Sequence, residues 1–315
     1  MNVLVTGGAG FIGSHIVDTL LAANHRVIIV DNLHSGKRQN LSDAAVFYEI
    51  DIRDRSALED VFAHEQIEAV CHQAALANVR ISMSDPIEYA NVNVIGSLHL
   101  LELARKHKCR KFLFASTGGA VYGEGYSKDG SKLPFDENSR PQPKDNYGAN
   151  KLSLEYHLNL YHANYGLPYV ALRYPNVYGP RQNSEGEAGV IAIFVSAMLA
   201  NRPTRISGDG RQTRDFAYVG DIARANCMAL ESDAVGIFNV GTGVPTDINR
   251  VHRILTEITG YTQDPTHSPQ PVGEVLATYL DSSKAHRILG WAPEVDLVSG
   301  LQHVVDWARS ARELP

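Results

Sequence analysis

Val3-Leu4-Val5-Thr6-Gly7-Gly8-Ala9-Gly10-Phe11-Ile12-Gly13 sets the frame in which the rest of the chain is read. A β-branched, apolar run meets a cluster of glycines, and a helical pattern then runs through Ile16, Val17, Leu20 and Leu21. The order is strand, tight turn, helix. Gly8-x-Gly10-x-x-Gly13 matches the dinucleotide fingerprint. In such a turn one glycine makes the bend, one lets backbone approach a pyrophosphate, and one lets the helix pack on the strand. The helix N-terminus then presents unpaired N–H groups to phosphate. Glycine-rich turns are common, so the spacing alone is weak, but its context strengthens it. Arg26-Val27-Ile28-Ile29-Val30 is a second buried-strand run, and it ends at Asp31, 18 residues past Gly13. A carboxylate there accepts hydrogen bonds from the adenosine ribose hydroxyls and repels a 2′-phosphate. NAD is therefore expected rather than NADP, although Lys37 and Arg38 nearby keep the second open. The plainer alternative is a structural turn followed by a surface aspartate.

Bulk properties narrow the class. A chain of 315 residues holds one large or two small domains with ample core. Hydrophobic content of 44% with 20% charged excludes disordered and collagen-like chains. A net charge of −6 argues against nucleic acid or an anionic membrane surface as partner. Cys71, Cys109 and Cys227 are scattered, which suggests a reducing cytoplasm without a disulfide framework. No signal peptide is expected before the first strand, and the apolar run 190–200 is too short to span a bilayer. The thirteen histidines form no His-Glu-x-x-His motif and meet no Cys-x-x-Cys, so no metal is expected.

Strand-like runs at 46–50, 69–73, 111–116 and 168–173 alternate with helical patterns at 55–64, 86–107 and 146–165. This predicts an α/β fold, a doubly wound parallel (Rossmann) sheet with its ligand crevice at the strand C-terminal ends. Those ends carry Asp31, Asp51-Ile52, Gln73-Ala74-Ala75, Ser116-Thr117 and Tyr174-Pro175-Asn176. Asp51 suits either an adenine edge or the N-cap of the next helix. After Arg173 the texture changes, with a loop at 176–181, a helix at 190–199 and only short segments beyond. A strand at 237–241 looks like a return to the sheet. Residues 1–175 are thus expected to form the dinucleotide domain, completed by that strand near 236–241. Residues 176–315 form mainly a smaller, interleaved substrate lobe. The helices at 86–107 and 146–165 look amphipathic and read as neighbours through the sheet. They either cover only their own sheet or build a four-helix interface in a homodimer.

Tyr147-Gly148-Ala149-Asn150-Lys151 carries the chemistry. Of fourteen tyrosines only Tyr147 has a lysine four residues on, which at a helix start puts phenol and ammonium on one face. A phenol ionises near pH ~10, so a base working near neutrality needs a shift of ~3 units, or ~4 kcal/mol. A nearby cation supplies about 1–3 units, and a bound nicotinamide cation the remainder. Lys151 is also placed to hold the nicotinamide ribose. Ser116-Thr117, at a strand end 30 residues before Tyr147, adds a hydroxyl that can bond a reacting alcohol oxygen and relay its proton. Either feature alone is an ordinary surface pair or turn; together in a dinucleotide crevice they point to redox chemistry on an alcohol.

With these motifs the chain resembles the extended short-chain dehydrogenase/reductase family. Within it, the chain is similar to the UDP-glucose (UDP-galactose) 4-epimerases of the compact bacterial type. The resemblance runs from end to end, through Thr6 to Gly13, Asp31-Asn32-Leu33, His72-Gln73-Ala74-Ala75 and Ser116 to Gly123. It continues in Tyr147 to Lys151, Leu172-Arg173-Tyr174 and Asn176 to Gln182, then in Gly186 to Val190, Arg214-Asp215-Phe216 and Leu289-Gly290-Trp291. The glycine and Tyr-Lys motifs specify only the superfamily, whereas Gly179-Pro180-Arg181-Gln182 and Gly186-Glu187-Ala188-Gly189-Val190 narrow it to the epimerases.

The resemblance implies a redox loop: Tyr147, helped by Thr117, takes the sugar 4-hydroxyl proton while C4 delivers hydride to NAD. The 4-keto sugar then swings about its diphosphate tether and regains the hydride on its other face. It implies cofactor contacts from Gly7, Gly10, Phe11, Ile12, Gly13, Asp31, Asn32, His34, Ser35, Gly36, Asp51, Ile52, Gln73, Ala74, Ala75, Asn93, Tyr147, Lys151, Tyr174 and Pro175. For a UDP-sugar it implies Thr117, Tyr147, Asn176, Val190 and Phe194 (the last two near the uridine), Arg205, Arg214 at the diphosphate, and Thr278 beside the sugar C2 substituent. Arg214 suits a diphosphate by charge and geometry; an ion pair with Asp215 is the alternative.

One departure is plain. Where the family usually has a second arginine, two residues before Gly273, this chain has Pro271, and Arg181, Arg205 or Arg211 would have to compensate. Small Thr278 in place of a large tyrosine implies that 2-acetamido sugars fit as well as plain hexoses. Related dehydratases and decarboxylases resemble Thr-Asp-Glu and Thr-Ser-Glu at the strand end, and Gly118-Gly119 supplies no such carboxyl. An epimerase for UDP-glucuronate or a UDP-pentose, a net reductase, or a non-catalytic NAD-binding module are the remaining alternatives.

Overall fold

The β-branched runs of the first half become parallel strands: β1 (Asn2–Thr6), β2 (Arg26–Asp31), β3 (Val46–Glu49), β4 (Ala69–His72), β5 (Lys111–Thr117) and β6 (Tyr169–Tyr174). The computed structural model describes residues 1–124, 133–184, 189–270 and 275–313. Short strands β7 (Asn176–Tyr178), β8 (Arg205–Ser207) and β9 (Thr213–Tyr218) follow, and β10 (Gly236–Asn239) then returns to the first sheet. Its order is β10-β6-β5-β4-β1-β2-β3. Winding reverses between β1 and β4, so the loops leaving those two strands part and open a crevice at their C-terminal ends.

The remaining strands are β11 (Pro245–Asp247), β12 (Thr266–Ser268) and β13 (Ala277–Thr278). β9 is the spine of the C-terminal lobe, pairing with β11 in antiparallel and with β7 and β13 in parallel. β8 and β12 form a separate pair. Because β10 leaves this region to rejoin the main sheet, the two parts interleave: a doubly wound parallel sheet with a smaller C-terminal lobe.

Alternation along the strands explains the two covered faces. Val3, Val5, Val27, Ile29, Ala69, Cys71, Leu113 and Val170 point to one side, into a core with the helices Phe11–Ala22 and Val219–Glu231. Leu4, Ile28, Val30, Val70, Phe112, Phe114 and Ala171 point to the other, against the helices Arg55–Glu65, Ser97–Lys106 and Asn146–Tyr165. The last two helices pack side by side on that one face, not through the sheet.

The single helix expected at 86–107 is broken. Pro86–Ala90 is α-helical, 91–96 widens to a π-turn, and Ser97–Lys106 resumes the α-helix. The cause is Asn93, whose side chain turns inward to accept from Leu76 N at 2.8 Å and donate to Leu76 O at 2.9 Å. Ser97 Oγ in turn donates to the Asn93 carbonyl at 2.6 Å. Three further helices, Val219–Glu231, Ile248–Thr259 and Leu297–Glu313, lie where the sequence suggested only short segments.

Candidate active site

The glycine turn closes as its sequence requires. Gly7 has φ +70°, and a Cβ there would sit 2.8 Å from Ala74 N; a Cβ on Gly13 would meet Gly7 O at 2.1 Å. The left-handed bend thus falls on Gly7, one residue before the fingerprint begins, and Gly13 lets the helix press on the turn. A cleft of about 790 Å³ opens from it along the sheet edge, within the usual size for a cofactor site. Gly7, Gly10, Phe11, Ile12, Gly13, Asp31, Asn32, His34, Ser35, Asp51, Ile52, Gln73, Ala74, Ala75, Tyr147, Lys151 and Tyr174 all line it.

Asp31 is buried, and burial pushes its carboxyl up from the ordinary carboxylate value while two backbone donors oppose that. Leu33 N donates to Oδ1 at 2.8 Å and Ala9 N to Oδ2 at 3.1 Å. Each oxygen keeps a lone pair, the acceptor set that a ribose diol needs. Gly36 packs against this carboxylate: a Cβ there would come within 2.9 Å of Oδ1. The residues present therefore fit an adenine dinucleotide.

Asp51 is differently committed. Its Oδ1 accepts from Arg53 N and Nε, both at 2.9 Å; its Oδ2 accepts from Arg53 Nη2 at 2.8 Å and Asn32 Nδ2 at 2.9 Å. With four donors on two oxygens, no lone pair remains for an adenine amine unless one partner moves. Neither is Asp51 the helix cap: Asp54 caps Arg55–Glu65 through Ala57 N at 3.0 Å. Asn93 lines no part of the cleft, and shapes it only through the Leu76 loop.

Below the cleft a buried relay fixes the 73–75 backbone. Ser97 Oγ, having given its proton to Asn93 O, accepts from His72 Nε2 at 2.7 Å; His72 Nδ1 then accepts from Thr6 Oγ1 at 2.7 Å. Thr6 Oγ1 in turn accepts from Ala74 N at 3.2 Å. These contacts assign the tautomer, and burial, with Lys151 nearby, pushes the imidazole down to about 3, so it stays neutral. Tyr174 turns its hydroxyl to Gln73 Oε1 and Asn226 Oδ1, both at 3.1 Å.

At the other end of the cleft, Asp145 caps the helix Asn146–Tyr165 through Gly148 N at 2.7 Å. That helix carries Tyr147 and Lys151 on one face. Lys151 Nζ donates to Ala115 O at 2.7 Å and lies 4.7 Å from the Phe114 ring centre and 5.8 Å from that of Tyr147. It is 4% exposed, and burial pulls its pKa from 10.5 down to about 7. Tyr147 N donates to Ser82 Oγ at 3.3 Å, which ties the helix start to the short helix Val79–Ser84.

Ser116 and Thr117 separate. Ser116 Oγ donates to Glu155 Oε1 at 2.6 Å and is buried, whereas Thr117 caps the next turn, accepting from Ala120 N at 3.2 Å. The cap leaves the Thr117 O–H bonded to none of the described residues. Beneath them Arg173 forks onto Glu155, Nε to Oε1 at 2.9 Å and Nη2 to Oε2 at 2.5 Å.

Of the residues expected at the substrate, Tyr147 lines this cleft, whereas Thr117 and those of the lobe do not: Asn176 on β7, Val190 and Phe194 on the helix Val190–Leu199, Arg205 on β8, Arg214 on β9, Thr278 on β13. Arg214 and Thr278 are register partners. Phe194 has no exposed surface and packs edge-on against His252, ring centres 5.2 Å apart, so it offers no face to a uridine in this arrangement. The helix is apolar nearly all round, and it is Ile193 that remains exposed. Asp215 does not pair with Arg214. Its oxygens accept from Thr242 N and Oγ1, Gly243 N and Leu280 N. Gly186 to Ala188, Pro271 and Gly273 lie outside the described residues. The sequence reading missed Arg53, Asn78, Ile81, Tyr89 and Asn183 in the cleft wall. Arg53, Asn78 and Asn183 follow strand ends within a few residues, which could have signalled them; Ile81 and Tyr89 lie on the helices Val79–Ser84 and Pro86–Ala90, where the sequence carried no such signal.

The chain belongs to the NAD dependent epimerase/dehydratase family, whose model matches residues 3–241. It is similar over its whole length to solved structures of sugar-nucleotide enzymes. The UDP-glucose 4-epimerase of Thermotoga maritima, solved with UDP-glucose, is 47% identical with a TM-score of 0.96, covering 99% of this chain and 100% of that one. The UDP-glucose 4-epimerase of Thermus thermophilus, in complex with NAD, is 42% identical with a TM-score of 0.92, covering 99% and 100%. A UDP-N-acetylglucosamine 4-epimerase from Methanobrevibacter ruminantium is 38% identical with a TM-score of 0.92, covering 98% of each chain.

Proposed function

We propose that this protein is an NAD-dependent 4-epimerase of UDP-hexoses, interconverting UDP-glucose and UDP-galactose through a 4-keto sugar. The observation that carries this is Lys151 buried beside Tyr147 in the wall of a cleft that begins at the glycine turn and Asp31. The similarity to epimerases solved with UDP-glucose and with NAD supports the same reading. We assign residues 1–175 and the strand near 236–241 to the cofactor domain, and residues 176–315 otherwise to the substrate lobe.

NAD, when bound, would supply the acceptor and then the donor for the C4 hydride. The chain does the rest. Asp31 would hold the adenosine ribose diol, and the N-terminus of the helix Phe11–Ala22 the pyrophosphate. Tyr147 removes and restores the 4-hydroxyl proton, assisted by the Thr117 hydroxyl, and Lys151 holds positive charge against the phenol. Asn176, Val190 and Arg214 hold the nucleotide while the sugar turns. The relative that acts on UDP-N-acetylglucosamine, with the small side chain of Thr278, supports acetamido sugars as additional substrates.

We also propose a cytoplasmic homodimer, its three cysteines free and buried. The helices Pro86–Ala90 and Asn146–Tyr165 and the π-turn leave Ile87 (75% exposed), Ile95, Tyr156 and Leu160 in water, an apolar surface suited to a second copy. Light scattering should give twice the chain mass, and Tyr156→Glu with Leu160→Glu should halve it. No described helix is long and apolar enough to cross a membrane.

The deciding experiment incubates purified protein with a panel of UDP-sugars and no added cofactor. Equilibration of the 4-epimers, with near-stoichiometric NAD(H) released on denaturation, is expected. Absence of turnover until NAD is supplied, with NAD then consumed in step with product, would refute the closed redox loop.

A further inference from the structure

At the end of the sheet opposite the cleft, where β2 begins and the helix Val219–Glu231 ends, a second set of side chains converges. His25 Nε2 lies 3.2 Å from Glu231 Oε1, and the ligand atoms of His25, Cys227 and Glu231 all lie within 4.8 Å of one another. His25 and Cys227 are each about nine-tenths buried, whereas the Glu231 side chain is 52% exposed. The group is thus walled by protein and reached from water on its carboxylate side. Among the described residues it is the one place where three such ligands meet.

We propose that His25 Nε2, Cys227 Sγ and a Glu231 oxygen bind one zinc-class divalent cation, with water in the fourth position. A tetrahedral zinc site with Zn–N and Zn–O near ~2.0 Å and Zn–S near ~2.3 Å sets its ligand atoms roughly 3.3–3.6 Å apart. The histidine and glutamate are already at that spacing, and the sulfur has to close by roughly 1.3 Å at most. Rotation of the exposed Glu231 side chain supplies the remaining adjustment. A thiolate with an imidazole selects zinc over magnesium or calcium, which take oxygen ligands.

Binding releases the Cys227 thiol proton to solvent and leaves the imidazole proton on Nδ1. That nitrogen lies 3.4 Å from Met1 N, a contact that has to loosen when the ion binds. The ion would clamp the start of β2 to the last turn of a helix that packs on Phe11–Ala22. It stabilises the fold and takes no part in the redox chemistry, so it stands or falls independently of the epimerase reading.

The test uses tag-free, chelator-treated full chain with its resident cofactor, titrated with Co²⁺ and then Zn²⁺. One equivalent of Co²⁺ should bind with a thiolate-to-cobalt charge-transfer band, which Zn²⁺ displaces. Cys227→Ser and His25→Ala should abolish the band and weaken Zn²⁺ on the order of 100-fold or more, beyond what loss of an outer-shell partner costs. Turnover and bound cofactor should be unchanged. Glu231→Gln, an exposed change that leaves the fold intact, should weaken Zn²⁺ at least ~10-fold. Absence of the thiolate band, or Zn²⁺ affinity unmoved by Glu231→Gln, would overturn the proposal and leave an adventitious ion only.

Discussion

Lys151 holds its ammonium 5.8 Å from the centre of the Tyr147 ring while donating to the Ala115 carbonyl, with no carboxylate among the described residues to neutralise it. Burial drags its pKa from 10.5 to about 7. The unfolded chain therefore binds the extra proton between pH 7 and 10.5, so this lysine's contribution to stability rises with pH across that window. The destabilisation is fully present below the lower value and relieved above the upper one, with a ceiling on the order of 5 kcal/mol. Lys151→Met should abolish turnover yet raise the melting temperature of cofactor-free protein at pH 6 far more than at pH 10. Equal shifts at both pH values would mean that the ammonium is better solvated than its surroundings suggest.

Tyr147→Phe removes the ionisable oxygen and keeps the ring. Turnover should fall by at least ~10²-fold, within the range for an acid–base group, while UDP-sugar affinity changes little. A loss of only a few-fold would move the base role to Thr117.

These two positions were legible in the sequence because a spacing of four on a capped helix leaves side chains no freedom about which face they share. The strand ends were legible for a similar reason: alternation and glycine fix where a parallel strand stops. Asp51 was not. Its identity and place suggested an adenine acceptor, but Arg53, two residues on, fills its lone pairs, and a bidentate partner that close leaves no periodic signature. Asn93 was read as a cofactor contact on a regular helix, whereas its amide satisfies the Leu76 backbone and forces a π-turn that periodicity cannot foresee. In the lobe, β7, β8, β11 and β12 have three residues each and β13 has two, too few to show any period. Phe194 shows the same limit on a helix whose faces are all apolar.

The fork between Arg173 and Glu155 is sealed under the site, with side chains 3% and 2% exposed. Glu155→Leu strands a buried guanidinium and should cost about 3–5 kcal/mol in urea unfolding. The double variant with Arg173→Met should recover a large part of that, because an apolar pair of similar volume replaces the ions. A single-variant cost below about 1 kcal/mol would show that water reaches the pair.

Arg214 lies on β9, the spine of the lobe, and its neighbour Asp215 is already satisfied by four donor groups and takes no ion pair from it. With proline at position 271, Arg214 should carry most of the diphosphate charge. A charge-assisted hydrogen bond is worth ~1.5–3 kcal/mol, so Arg214→Ala should weaken UDP binding by roughly 10–150-fold by calorimetry. Unaltered affinity would transfer the role to Arg181, Arg205 or Arg211.

Thr278 is the register partner of Arg214, so the position expected to face the sugar C2 substituent lies beside the position expected to hold the diphosphate. At 4% exposure it presents little surface, and a tyrosine there must push its ring into whatever space the neighbouring sugar would use. Thr278→Tyr should therefore lower turnover of UDP-N-acetylglucosamine relative to UDP-glucose by at least ~10-fold, the lower end of what one misfitting group costs in a pocket. Both substrates should be assayed on wild type and variant under the same conditions, with bound NAD measured to verify folding. If acetamido turnover survives while the cofactor stays bound, the C2 pocket is bounded by other residues and its width was not set by this side chain.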